Sequence, residues 1–137
     1  VLGLWLAMLV PAAAGSGRAL LGVWQHPENQ SLIEVYPCQR NRLCIKIVEI
    51  GDGQRTDTRN PDPALRSRPI IGLVIVNGAE AMPDDRWAGR LYNRNDGRYY
   101  DGYLAPAPME RLALTGCVMM VLCRTVIWQR PQKRPPA

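Results

Sequence analysis

The chain has 137 residues, four cysteines, a single histidine and a net charge of +5, and fifteen of its seventeen basic residues are arginine. That length predicts one domain, and the arginines run from Arg18 to Arg134 among interleaved acids, with none of the dense basic stripe that nucleic-acid binding needs. His26 alone, with no CxxC pair, leaves no metal-ligand set, so no metal and no cofactor is expected.

Residues 1–14, VLGLWLAMLVPAAA, carry no charge. An apolar run followed by Ala12, Ala13 and Ala14 has the pattern of a secretory signal peptide. It is too short for a membrane span, which needs about 20 apolar residues. The mature domain is therefore expected over 15–130, in the periplasm or secreted, with no span of its own.

Glycine, proline, asparagine and aspartate then cut the chain into short segments. Residues 21–26 read as the first strand, 31–37 as the second and 44–50 as the third, the last two rich in isoleucine and valine. The polar stretch from Gly51 to Asp62 reads as loop. Asp62 before Pro63 is a helix-start signal, which predicts one short helical turn over 63–67. The apolar run 69–76 predicts the fourth strand, covered on both faces or kinked at Gly72, and 77–86 predicts another loop. Strands five and six are expected over 87–93 and 98–104, joined by a tight turn at Asn95, Asp96 and Gly97. Strands seven and eight are expected over 110–116 and 123–129, and the proline-rich tail 131–137 as disordered.

No segment sustains a helical period. Short strands in succession predict an all-β fold, an up-and-down antiparallel barrel of about eight strands. At that size a barrel interior accommodates packed side chains or one small ligand. A β-sandwich is the alternative closure. In an exported chain four cysteines argue for disulfides. The equal spacers favour the local bridges Cys38–Cys44 and Cys117–Cys123, whereas a long-range pairing such as Cys38–Cys117 requires the two hairpins to be neighbours.

The punctuation resembles that of small exported bacterial proteins catalogued as domain-of-unknown-function family number twenty-one forty-seven. The matching residues are Gly22-Val23-Trp24, Pro37-Cys38 with Cys44, and Asp57-x-x-Asn60-Pro61-Asp62-Pro63. Arg68-Pro69, Trp87-x-Gly89, Leu91-Tyr92, Asp96-Gly97, Gly116-Cys117 and Trp128-x-Arg130 continue the match. The resemblance implies export and a compact β-rich domain, and no agreed activity. Ile45 departs from the family's usual glycine after the second cysteine, which predicts a different local turn. The Gly22-x-Trp24 start with a late arginine is also similar to lipocalin and fatty-acid-binding barrels. That similarity implies that Trp24 closes one barrel end under a stacked arginine, Arg130 or Arg124.

An enzyme is not expected. His26 is the sole histidine, beside Pro27 at a strand end, and no serine of the mature chain lies in a Gly-x-Ser-x-Gly context. The adjacent carboxylates Asp84 and Asp85 lie in a loop where nothing separates their pKa values. The binding candidates are Asp57, Asn60, Arg66 and Arg68 in the proline-rich loop, with Tyr92 and Tyr100 near the hairpin. Two arginines can take an anionic head, oriented by Asp57 and Asn60. The competing reading is a self-satisfied loop, its aspartates bonded to local backbone and to an arginine. The expected function is non-catalytic binding of a small apolar or amphipathic ligand, with or without an anionic head. The alternative is an envelope protein-interaction or stress-related module with a filled core.

Overall fold

The computed structural model describes residues 3, 16–119 and 121–132. The leader expected over 1–14 (Gly3 apart) and the tail residues 133–137 lie outside the described residues. Pro131 and Gln132 belong to no strand.

Eight strands follow in chain order: β1 (Gly22–Gln25), β2 (Leu32–Cys38), β3 (Arg42–Glu49), β4 (Val74–Ala81), β5 (Trp87–Asn93), β6 (Arg98–Ala107), β7 (Arg111–Val118) and β8 (Leu122–Trp128). Each pairs antiparallel with its neighbour in sequence, giving one sheet in the order β1 to β8. This is the expected up-and-down architecture. The sheet curls until its edge strands meet, but they meet only at Gln25 and Gln129, which exchange two backbone hydrogen bonds of 2.7 and 3.1 Å. Along Leu122–Trp128 the outer edge of β8 has no strand partner among the described residues.

Two expectations are corrected. The fourth strand begins at Val74 rather than at 69, and residues 77–81 are strand rather than loop. Gly72 takes φ +89°, and a turn bond from the Leu73 amide to the Ile70 carbonyl interrupts the apolar run before it can pair. The polar Asn77-Gly78 step is accommodated as a bulge. Leu43 pairs with Ala79 but Ile45 with Val76, and Gly78 has φ +85°. The second correction concerns Ile45. It lies inside β3, fully buried and opposite Val35, while the hairpin turns over Gln39, Arg40 and Asn41. A branched residue there suits the strand and alters no turn.

A five-residue helix, α1 (Ser16–Leu20), precedes β1. It is too short to show a period in sequence. The expected helical turn is a 3-10 turn over Pro63–Leu65, and the Asp62 carboxylate accepts the Ala64 amide at its start.

Both disulfides are local, Cys38–Cys44 across the β2–β3 hairpin and Cys117–Cys123 across the β7–β8 hairpin. Each closes a short loop, so each contributes on the order of 2 kcal/mol through the unfolded chain. Reducing both is expected to lower the unfolding free energy by about 4 kcal/mol. Urea unfolding with and without reductant measures it. A cost nearer 8 kcal/mol would mean that native packing depends on the bridges as well.

Candidate functional site

The strands run between two different ends. At one end lie α1 and the β2–β3, β4–β5 and β6–β7 turns; at the other lie the β1–β2, β5–β6 and β7–β8 turns and the long 50–73 loop. Inward-facing Trp24, Val35, Ile45, Val76, Leu104 and Leu112 are buried to 2 % exposure or less and fill the first end. Toward the second end the interior is hollow, with a cavity of about 720 Å³. That is within the usual range for small-molecule sites.

Gly89, Gly102, Gly116 and Arg124 are successive partners across β5 to β8. Gly116 and Arg124 line the cavity, whereas a Cβ at Gly89 would press on Ala79 and Val76 at 3.3 Å, so that glycine serves close packing. At Gly102 an added Cβ would lie 3.1 Å from the Leu91 Cβ, a close approach of strand to side chain. At Gly116 it would meet Leu91 Cδ2 at 3.5 Å and Tyr100 Cβ at 3.7 Å, ordinary contacts, so that position borders open space. Apolar walls come from Ile33, Ile47, Ile75, Leu91, Leu114 and Val126.

The polar lining is concentrated at the open end. Asp96 accepts the Tyr100 hydroxyl and the Arg98 amide. Arg94 donates to the carbonyls of Gln54 and Asp52. His26 Nδ1 accepts the backbone N–H of Glu28 and of Asn29, at 3.1 and 3.3 Å. A ring nitrogen that accepts carries no proton, so the neutral imidazole holds its proton on Nε2. Burial lowers the His26 pKa, Arg124 adds to the effect, and the carboxylates of Glu28 and Asp52 offset it in part. The ring packs edge-on against Trp128, with centroids 5.0 Å apart.

The proline-rich loop makes a different structure. Asp57, 1 % exposed, accepts the Tyr92 hydroxyl at 2.6 Å, Asn60 Nδ2 at 2.9 Å and Arg68 Nε at 2.9 Å. Burial pushes the Asp57 pKa up, but those hydrogen bonds outweigh it and hold the carboxyl below its ordinary value. Burial, together with the adjacent carboxylate, pushes the Tyr92 hydroxyl up. Arg66 donates to the carbonyls of Asn60 and Pro61. The loop packs onto the β5–β6 hairpin, where Gly97 has φ +71° and a Cβ would overlap the Arg59 carbonyl.

Of the expected binding residues, Tyr92 and Tyr100 border the cavity, whereas Asp57, Asn60, Arg66 and Arg68 are not part of its wall. The geometry of these four matches the self-satisfied loop. At the filled end Trp24 is 1 % exposed, and the Arg130 guanidinium lies 3.7 Å from its ring centroid. Arg130 also donates to the carbonyls of Val23 and Leu21, which ties the chain end to β1.

Arg124, considered in sequence only as a stacking candidate, instead lines the cavity. Alternation along CRTVIWQ carries the signal, since it places Arg124, Val126 and Trp128 on one face. Which face is inward follows only from the pairing of β8 with β7.

The family described as "Uncharacterized protein conserved in bacteria (DUF2147)" matches residues 22–130. No curated protein matches the chain. Among solved structures the chain is similar to protein HP1028 from the human pathogen Helicobacter pylori, described as belonging to the lipocalin family. The TM-score is 0.72 at 23% sequence identity, covering 82% of this chain and 83% of that one. The likeness establishes a shared lipocalin-like fold.

Proposed function

We propose, from the premise that the chain belongs to the DUF2147 family of bacterial proteins, that it is a non-catalytic carrier or receptor for a small amphipathic ligand held in the hollow end of the barrel. The observation that carries this reading is the cavity of about 720 Å³, with apolar walls in its depth and an opening that sets polar groups beside the apolar β7–β8 hairpin. Two disulfides support an exported protein. No described helix is long and apolar enough to cross a membrane. Tyr100 contributes a hydroxyl at the rim, whereas the Tyr92 ring packs against Tyr99 and Arg68 on the loop side of the sheet.

Native mass spectrometry of the exported protein, with whatever it carries, tests the reading directly. The expected result is a bound species of a few hundred daltons, within what such a pocket holds. Gly116→Val is the control. Its Cβ fits ordinary contacts and its branches project into the cavity, so bound mass and uptake of an apolar dye are expected to fall at least ten-fold. The unfolding midpoint should change little, because valine suits a strand. Failure of the wild type to take up any apolar probe would overturn the proposal.

One observation favours a second reading, protein interaction at the open end. Val118, Met119, Val121 and Leu122 on the β7–β8 hairpin are 44%, 82%, 80% and 71% exposed, an apolar rim beside the cavity. A partner docked there would be insensitive to Gly116→Val, which separates the two.

A further inference from the structure

Three N–H donors on one side of the cavity are unspent. The Arg124 guanidinium makes no hydrogen bond or ion pair among the described residues, although it lies on the inward face of β8 opposite Gly116. His26 has both of its backbone contacts on Nδ1, which leaves the Nε2 proton with no partner among the described residues. Trp128, 8 % exposed and edge-on to His26, has a buried indole N–H without a partner among the described residues.

No unspent acid balances them. Asp96, the one acid in the cavity wall among the described residues, is engaged by Tyr100 and by the Arg98 amide, and the other cavity arginine, Arg94, is engaged by two loop carbonyls. Glu28 and Asp52 face His26 from the β1–β2 turn and the β3–β4 loop, but neither forms part of the cavity wall. Of the three, the Trp128 indole N–H is buried, and a buried donor without an acceptor costs free energy that a ligand acceptor recovers. Arg124 is exposed and His26 half-buried, so both are open to an incoming ligand, and the wall between β1 and β8 carries one net positive charge.

Resting on the cavity reading above, we infer that Arg124 and His26 form the receptor for a single carboxylate head on an apolar chain. The arginine fork and the Nε2 proton hold its two oxygens. One guanidinium matches one carboxylate in charge and in fork geometry. A doubly charged phosphate would face a single full cation here, with Glu28 and Asp52 nearby. The chain lies against Ile33, Ile47, Leu91, Leu114 and Val126, and the Trp128 indole N–H marks a deeper subsite for a second oxygen function on that chain.

Decanoate and decan-1-ol, which share a chain and differ in the head, test this on the full protein by calorimetry. Decanoate is expected to bind the wild type at least ten-fold more tightly than decan-1-ol, since a charge-assisted hydrogen bond contributes about 1.5–3 kcal/mol. Arg124→Gln should remove that preference, bringing decanoate affinity down to that of decan-1-ol, and Arg124→Lys should recover part of it. Because the chain has a single histidine, its imidazole signals in NMR need no assignment. Decanoate should shift the Nε2 resonance and raise the imidazole pKa in the wild type, and do neither in Arg124→Gln. Arg124 has no side-chain partner to lose among the described residues, so this variant is expected to fold. Equal affinity of wild type and Arg124→Gln for decanoate would overturn the head site while leaving the cavity reading intact. Absence of binding by either probe, with no imidazole shift, would overturn both.

Discussion

Replacing Trp24 by alanine is expected to lower the unfolding free energy by about 3–5 kcal/mol, the cost of truncating a large buried aromatic. The indole is 1 % exposed, its N–H donates to the Leu20 carbonyl at 2.8 Å, and its face lies 3.7 Å from the Arg130 guanidinium. Three separate parts of the chain, α1, β1 and the segment after β8, are therefore held through one side chain. Removing it leaves a cavity where the barrel is otherwise filled and releases the carbonyl that ends α1. Arg130→Ala alone should cost less, about 0.5–2 kcal/mol from the stacked cation, plus its bonds to Val23 and Leu21. Because the two side chains touch, the double variant should fall short of the sum. Urea unfolding of the four proteins makes the comparison. Strict additivity would show that the stack contributes nothing of its own.

Asp57→Ala should cost a similar amount, on the order of 3 kcal/mol. Removing one partner of a buried ion pair strands the other, and the hydroxyl of Tyr92 and the amide of Asn60 lose their acceptor as well. The pH dependence is specific. The carboxyl's pKa in the folded protein is held below its ordinary value. Its stabilisation is therefore complete above the unfolded value of about 3.9 and is lost as pH falls through the lowered folded value. Wild type is expected to lose stability below about pH 4 more steeply than Asp57→Ala. Parallel curves for the two proteins between pH 2 and pH 5 would show that this carboxylate is not the linked group. Ligand affinity in Asp57→Ala, measured where the variant is still folded, should change little, since Asp57 is not part of the cavity wall.

These two residues were legible to different degrees. Trp24 stood out in the Gly22-x-Trp24 start, and its partner was narrowed to Arg130 or Arg124. Composition cannot choose between two arginines six residues apart; the register of β8 does, by turning Arg124 into the cavity while Arg130 follows the strand end. The aspartate, asparagine and arginines of the 57–68 loop suit an anion site as well as a self-satisfied loop. The group that decides is the Tyr92 hydroxyl, 35 residues further along the chain. The start of β4 was misplaced for a related reason. An apolar run and a polar run look like strand and loop until Gly72 turns the first and a bulge at Gly78 admits the second.

The amino-acid order by itself determined what depends on neighbours in the chain. That covers eight extended segments and their punctuation, two hairpin disulfides with equal spacers, and the Asp62-Pro63 start of a helical turn. Such features follow from backbone propensity and short-loop geometry, which act over a few residues. Tertiary structure alone decided which face of each strand is inward, which residues line the hollow, and which polar groups end up unspent. Those outcomes depend on the pairing of segments tens of residues apart. A one-residue shift of register would exchange inside for outside and move Arg124 from the cavity to solvent.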